Sequence, residues 1–218
     1  IKIGDFMKYE YVIWDWNGTL FNDVQISIDA MNHMLEAKKY PQRLESDLYK
    51  SIFSFPVIDY YKKVGLDFDR HPFDELAQLF IDLYSELQNS AGLFDGARDA
   101  LKCFSNLGMK QNVISVCEKE RLYHQISLFD INHYFDDVIG TDDNYAVSKA
   151  DIAKKWFADR SIKPDKAVFI GDTVHDYEVA KAVGCDCILI ADGHQSREVL
   201  SRTDAVIIDS LSEILTNF

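Results

Sequence analysis

The chain has 218 residues, which is enough for one domain or for one domain that carries a smaller insert. Apolar residues make up 47% of the chain, so it can bury a core and does not have the composition of a disordered protein. The formal net charge of -13 repels nucleic acid and anionic membranes, which excludes both as expected partners.

Six short apolar runs, most of them rich in β-branched residues, predict strands that are buried on both faces. In chain order they are Tyr11–Asp15, Asn112–Val116, Val138–Gly140, Ala167–Gly171, Cys187–Ala191 and Ala205–Ile208. Helical patterns lie between the later runs, at Gly96–Leu107, Lys119–Phe129, Lys149–Asp159 and Tyr177–Val183. This alternation predicts an α/β fold, a Rossmann-like parallel sheet flanked by helices.

A long stretch interrupts the alternation directly after the first strand. Residues 22–91 carry apolar side chains at helical spacing, beginning with Val24 and Ile28, and contain no convincing strand. We therefore predict a small helical domain over 22–91, inserted into an α/β core domain that consists of residues 1–21 and 92–218.

Polar side chains follow the predicted strands at the edge where open parallel sheets bind ligands. The first strand leads into Asp15-Trp16-Asn17-Gly18-Thr19-Leu20, and the second ends at Ser115. Lys149 precedes the fourth strand, which leads into Gly171-Asp172-Thr173-Val174-His175-Asp176. Two carboxylate loops, a hydroxyl and a lysine are therefore expected to converge on one edge of the sheet.

This order of motifs resembles the haloacid dehalogenase (HAD) superfamily over nearly the whole chain. The helical insert, and the segment Leu93-Phe94-Asp95-Gly96 after it, resemble the cap domain and core re-entry of one subgroup. That subgroup includes phosphoglycolate phosphatases and β-phosphoglucomutases. The resemblance implies a magnesium-dependent phosphatase that hydrolyses a small phosphorylated metabolite through an aspartyl-phosphate.

The resemblance also assigns the metal site. Asp15 is the expected nucleophile, and it shares Mg²⁺ with the Asp172 carboxylate and the backbone carbonyl of Asn17. Asp176 lies one helical turn after Asp172, so we expect it, with Thr173, to support the metal ligands from behind or through water.

The same resemblance also predicts which residues contact the phosphate group. Lys149 would neutralise both Asp15 and the transferring phosphoryl group. Ser115 and the backbone N–H groups after Asp15 would hold phosphate oxygens, and Gly18 would let the backbone turn tightly beneath them.

The chain departs from the family pattern two positions after the nucleophile, where family phosphatases usually carry an aspartate that protonates the leaving alcohol. Here that residue is Asn17, whose amide cannot shuttle a proton. We therefore predict modest activity, biased towards good leaving groups such as acyl or aryl phosphates, unless the cap supplies an acid. The cap candidates for that acid are His33, Asp59, Tyr60 and Lys62.

The segment from Phe53 to Gly65 is aromatic and matches the stretch that selects the substrate in capped relatives. We expect it to close over the site as a lid, with hinges near Phe21-Asn22 and Ala91-Gly92. Packing of these aromatic side chains within the cap is the alternative interpretation.

Other functions stay open at the level of the residues. Asn17 is compatible with a weakened family member that binds a phosphorylated ligand as a sensor. A phosphoryl-transfer relative is a further alternative, and so is a phosphonate-cleaving one, which would need a cap lysine such as Lys62 or Lys63. We expect His175 to pack within its loop. For His194 two positions stay open, one at the surface and one at the rim of the site.

The four cysteines lack the spacing of zinc ligands, and no apolar run reaches the roughly 20 residues of a membrane span. The first residues have no apolar segment of the signal-peptide type. We therefore expect reduced thiols and a cytoplasmic location, while the sequence predicts no oligomeric state.

Overall fold

A computed structural model describes residues 6–141 and 148–215 of the chain. The strands in these ranges are β1 (Tyr11–Trp14), β2 (Phe21–Asn22), β3 (Gly92–Leu93), β4 (Lys110–Glu118), β5 (Phe135–Thr141), β6 (Ala167–Gly171), β7 (Asp186–Ile190) and β8 (Val206–Ile208). The α-helices are α1 (Val24–Ala37), α2 (Ser46–Ile52), α3 (Val57–Val64), α4 (Phe73–Leu87), α5 (Ala97–Asn106), α6 (Lys119–Ser127), α7 (Lys149–Asp159), α8 (Val174–Val183), α9 (Arg197–Leu200) and α10 (Ser212–Leu215).

Six strands form one parallel sheet in the order β5-β4-β1-β6-β7-β8. Side chains of the central strand β1 alternate between the two faces: Val12 and Trp14 join the larger core with α5 and α6, and Ile13 joins a second core with α7 and α8. Because helices cover both faces, the central strands β1 and β6 are apolar along their whole length. The predicted α/β fold with a parallel sheet and a helical insert is confirmed.

Helices α1 to α4 lie consecutively between β2 and β3. The helical pattern read from Val24 and Ile28 is confirmed as α1, which packs against Tyr84 of α4. Strands β2 and β3 form an antiparallel pair with Phe21 opposite Leu93, so the chain enters and leaves the helical segment side by side. The predicted limits of the two domains remain a prediction.

The cap helices are tied to the sheet edge by the loop that follows β7. The Lys50 ammonium donates to the backbone carbonyl of Asp192 at 2.8 Å, and the Ser196 N–H donates to the carbonyl of Lys50 at 3.0 Å. The Gln195 side chain donates to the carbonyl of Phe53 at 2.8 Å. These polar contacts hold α2 and the following aromatic segment over the carboxyl ends of the strands.

One helix begins earlier than its apolar pattern predicts. Helix α8 starts at Val174 rather than Tyr177, because Thr173 and Asp176 form a reciprocal capping box at its first turn. In residues 6–141 and 148–215, no helix combines the length and apolar character needed to cross a membrane.

Candidate active site

Lys149 is the centre of a buried ion-pair cluster at the carboxyl edge of the sheet. Its ammonium donates to Asp15 Oδ1, directly after β1, and to Asp176 Oδ1 in α8 at 2.6 Å. All three side chains are almost fully buried. Burial alone would lower the pKa of Lys149, but attraction to the two carboxylates raises it, so the lysine is a fixed cation.

Asp176 is held on both of its oxygens. Its Oδ2 accepts from the Thr173 hydroxyl at 2.7 Å and from the backbone N–H groups of Thr173 and Asp172. Its Oδ1 accepts from Lys149, and this attraction, which opposes the effect of burial, lowers the pKa of Asp176. Asp176 therefore positions the lysine and the loop after β6.

Three carboxylates converge at this edge: one oxygen from each of Asp15, Asp172 and Asp176 lies within 4.8 Å of the others. Burial raises the pKa of Asp15 to about 8, and its carboxylate neighbours add to the shift against the pull of Lys149. Burial also raises the pKa of Asp172 to about 6. Burial is the largest cause of both shifts, and the Asp176 carboxylate adds to each of them.

The buried charges of the described residues do not balance. The carboxylates of Asp15, Asp23, Asp172 and Asp176 face the cations of Lys149 and His194. When all six groups are ionised, two negative charges remain without a buried partner. One divalent cation would neutralise them. The donor set therefore fits a hard cation with oxygen ligands, such as Mg²⁺.

Gly18 allows the first loop to approach the loops after β6 and β7. It has a positive φ of 74°, and a Cβ at this position would lie 2.3 Å from Asp172 Oδ2 and 2.4 Å from His194 Cδ2. Any side chain would push Asp172 away from the site, so glycine is required sterically as well as for its backbone conformation.

Asn17 is hydrogen-bonded to Asp23, a residue that the sequence analysis did not assign to the site. Its amide nitrogen donates to Asp23 Oδ2 at 2.8 Å and to the Tyr84 hydroxyl at 3.0 Å. The Tyr84 hydroxyl also donates to Asp23 Oδ2 at 2.8 Å. Both amide hydrogens are thus used, and no hydrogen bond to Asn17 Oδ1 is found within the described ranges.

His194 is buried in the site, which resolves the two positions left open for it. Its backbone N–H donates to Asp172 Oδ2 at 2.6 Å, its Nε2 lies 3.2 Å from Asp23 Oδ1, and its Nδ1 lies 2.8 Å from the Tyr49 hydroxyl. Burial would lower the pKa of His194, but the Asp23 carboxylate raises it to about 9. A protonated imidazole therefore joins the core loops to the cap.

Ser115 is 1% exposed at the carboxyl end of the β4 apolar run, and its hydroxyl accepts from the Cys117 N–H at 3.1 Å. It lines the same cavity as Asp15 and Lys149. The structure therefore brings the predicted serine, lysine and carboxylates together, although the roles assigned to them remain predictions.

The predicted cap acids are not all near this cavity. Tyr60 lines it, while His33 and Lys62 are exposed and Asp59 pairs with Lys62 at 3.0 Å outside the lining. Lys63 is also exposed and donates to Ser54. Among the described residues, Lys149 is therefore the lysine that reaches the cavity.

His175 is half-buried and packs on the Phe55 ring, with centroids 4.9 Å apart, so it packs against the cap as well as within its loop.

The sequence did not mark Asp23, Tyr49 or Tyr84 as residues of the site. Asp23 follows the first loop and precedes α1, where an acid is ordinary because it favours the helix N-terminus. Its side chain caps nothing in α1 and turns instead to Asn17, Gly18 and His194. A charged residue at a cap position that does not cap is a signal visible only in the structure.

Comparison with known proteins agrees with this geometry. Residues 12–190 match the family model of the haloacid dehalogenase-like hydrolases. A phosphoglycolate phosphatase of Pseudomonas putida is 25% identical over 212 residues, which cover 94% of this chain and 78% of that protein. Tyrosine-protein kinase PtkA of Mycobacterium tuberculosis is 24% identical over 211 residues, covering 94% of this chain and 70% of that protein.

A haloacid dehalogenase-like family hydrolase from Streptococcus pneumoniae has the same fold, with a TM-score of 0.82 at 21% identity over 96% of this chain and 98% of that chain. The match to the family model begins in β1 and ends with β7, so it includes each loop that contributes to the carboxylate cluster. The chain belongs to the haloacid dehalogenase-like hydrolases.

Proposed function

We propose that this protein is a magnesium-dependent phosphatase that hydrolyses a small phosphorylated metabolite through a phosphorylated Asp15. The buried cluster of Asp15, Asp172 and Asp176, in which Lys149 pairs with Asp15 and Asp176, carries this proposal. The similarity to a phosphoglycolate phosphatase supports it.

Each residue has a physical task in this reaction. The Asp15 carboxylate attacks phosphorus, and Lys149 offsets the negative charge of the approaching phosphoryl oxygens, which would otherwise repel the carboxylate. The Ser115 hydroxyl holds a phosphoryl oxygen. Asp15, Asp172 and the Asn17 carbonyl would hold Mg²⁺, which supplies charge neutralisation between two anions when it is bound.

Asn17 limits the reaction to what an amide can do. Its NH₂ group is used by Asp23 and Tyr84, which leaves Oδ1 to accept a hydrogen bond from an attacking water or a leaving hydroxyl. It orients that group but removes no proton. Hydrolysis of esters with good leaving groups should therefore be favoured over hydrolysis of alkyl phosphates.

The test is hydrolysis of p-nitrophenyl phosphate with Mg²⁺ and with EDTA. We expect activity only with the metal, loss of activity in Asp15→Asn and Asp172→Asn, and full activity in the control Asp209→Asn, whose exposed carboxylate pairs with Arg197. Magnesium should also raise the melting temperature of the wild type but not of Asp172→Asn. Activity that persists in Asp15→Asn would contradict the proposal.

A second function, binding of a phosphorylated ligand with little turnover, is favoured by the tied amide of Asn17. Phosphoryl transfer is a further alternative, supported by similarity to a tyrosine-protein kinase. A sensor would bind beryllium fluoride with Mg²⁺ and show single-turnover phosphorylation of Asp15 without sustained release of phosphate. A transferase would release phosphate slowly until an acceptor is added.

A further inference from the structure

The cavity over Asp15 has an aromatic roof. It has a volume of about 200 Å³, and its floor contains Asp15, Ser115 and Lys149. The cap contributes the roof through the side chains of Phe53, Phe55, Tyr60, Tyr61, Phe80 and Tyr84. A group that leaves from a phosphate on Asp15 therefore departs into a ring-lined space.

The rings of the roof contact one another in the geometries that aromatic pairs favour. Phe53 meets Tyr60 edge to face at a centroid distance of 5.2 Å, and Phe80 stacks on Tyr84 at 6.1 Å. Aromatic side chains favour such offset and edge-on partners over aliphatic ones of the same area. The aromatic segment predicted from the sequence to select the substrate thus faces the site rather than only the cap interior.

The volume limits the size of the ligand. A cavity of about 150 Å³ is enough for one benzene ring, so about 200 Å³ accommodates one ring beside a phosphoryl group. Phe55, Phe80 and His175 also border a groove of about 730 Å³, which gives a substituent of the ring a path outward.

The charges on the cap side of the lining disfavour an anionic leaving group. The cap side chains that line the cavity are aromatic, aliphatic or hydroxyl-bearing, apart from Asp23, and none of them is cationic. On the core side Lys149 is paired with two carboxylates and His194 with Asp23. Arg121 also lines the core side, where its backbone N–H donates to Glu118. A carboxylate at the cap end, as in phosphoglycolate, meets no cation there.

The chemistry of Asn17 leads to the same class independently. Without a general acid, the leaving oxygen must carry its electron pair away unprotonated. A phenol ionises near pH 10, roughly six units below water, so an aryl oxygen leaves far more readily than an alkyl oxygen.

From the aromatic roof, the cavity volume and the amide at position 17, we propose that the substrates are aryl phosphate monoesters whose single ring binds beneath the cap. This deepens the phosphatase function proposed above and rests on it. Asp15 attacks phosphorus, the bond from phosphorus to the aryl oxygen breaks, and that oxygen leaves with the electron pair as aryloxide, which takes a proton from water. A second water then attacks the phosphorylated aspartate, and the bond from phosphorus to Asp15 breaks, which gives inorganic phosphate and restores the carboxylate. The proton that this water loses neutralises the hydroxide left when the aryloxide was protonated.

Four substrates separate the contributions to this preference. Benzyl and cyclohexylmethyl phosphate have rings of similar size and similar leaving alcohols, so we expect an about 2- to 10-fold lower KM for the benzyl ester. Phenyl and benzyl phosphate share the ring but differ in the leaving group, so we expect an about 10²- to 10⁴-fold higher kcat for phenyl phosphate. Phosphoglycolate should have the lowest kcat/KM.

Two variants localise the effect. Phe80→Leu keeps an apolar side chain and should raise the KM of benzyl phosphate while leaving that of cyclohexylmethyl phosphate within about 2-fold. Arg121→Gln should change none of the four substrates selectively. If phosphoglycolate is preferred and Arg121→Gln abolishes that preference, a carboxylate site on the core side replaces the aryl site and the inference is overturned. Equal KM values for the benzyl and cyclohexylmethyl esters also overturn it.

Acetyl phosphate distinguishes failure of this inference from failure of the proposed function. It has a good leaving group and no ring, so it reports phosphorylation of Asp15 alone. Magnesium-dependent hydrolysis of acetyl phosphate without preference for aryl esters rejects the aryl site and leaves the phosphatase intact. No hydrolysis of acetyl phosphate, together with no hydrolysis of p-nitrophenyl phosphate, rejects both.

Discussion

His194 Nε2 lies 3.2 Å from Asp23 Oδ1, and both side chains are buried where the cap meets the core. The same histidine bonds the Tyr49 hydroxyl of α2, and the same aspartate bonds Tyr84 of α4. This ion pair between the loop after β7 and the segment before α1 thus contacts two cap helices, which makes this link between cap and core dependent on the protonation of the imidazole.

The first prediction concerns this pH dependence. Because the pKa of His194 is raised from 6.5 to about 9, its stabilising contribution is fully present below about pH 6.5 and is lost as the pH rises through about 9. In metal-free protein, the difference in free energy of unfolding between wild type and His194→Gln should shrink over that range. Urea unfolding at several pH values measures it. A difference that stays constant would show that His194 is neutral in the fold.

The second prediction concerns Lys149. Lys149→Met leaves Asp15 and Asp176 buried without a cation, and breaking a buried pair in this way costs about 3–5 kcal/mol of unfolding free energy. Lys155→Met on the same helix removes an exposed pair with Asp159 and should cost at most about 1 kcal/mol. Denaturant unfolding of both variants makes the comparison. Equal losses would mean that the Lys149 cluster is solvated.

The third prediction concerns Asn17. Asn17→Asp places a carboxyl group about where the amide now lies, 2.8 Å from Asp23 Oδ2, and two carboxylates that close cannot both be ionised. The new acid should therefore hold a proton, raise kcat for alkyl phosphates by about 10²–10⁴-fold and lower the melting temperature. Asn17→Ala loses the same amide without adding an acid, so it should show no gain. An unchanged alkyl rate in Asn17→Asp would refute the missing-acid explanation.

The fourth prediction contrasts two cap tyrosines. The Tyr60 hydroxyl is buried and has no hydrogen-bond partner among residues 6–141 and 148–215, whereas the Tyr49 hydroxyl bonds His194. Tyr60→Phe removes an unsatisfied group and should raise the unfolding free energy by about 1–3 kcal/mol. Tyr49→Phe should lower it. Differential scanning fluorimetry of the two variants gives the signs, and a destabilised Tyr60→Phe protein would show that this hydroxyl has a partner.

The sheet and its edge were accessible to sequence reasoning because they depend on local patterns. Apolar runs gave the strands, and the residue after each strand gave Asp15, Ser115 and Asp172, since parallel strands end at one edge. Lys149 was predicted as a site residue from its position before β6 and from the family resemblance.

The contacts of Asn17 could not be read in the same way. Its partner Tyr84 is 67 residues away on a different element, and no periodicity links the two. His194 is joined to Tyr49 across 145 residues. Such pairs depend on how the cap docks on the core, which is decided by tertiary packing rather than by local propensity, so the sequence left His194 between surface and rim.

The antiparallel pairing of Phe21 with Leu93 has an evolutionary consequence. Because the two crossings of the chain are neighbours, the helices between them are joined to the rest of the chain side by side, and their lengthening or loss leaves the strand order of the sheet unchanged. A single insertion or deletion at this place can therefore exchange these helices as one cassette without altering the loops that hold the carboxylate cluster.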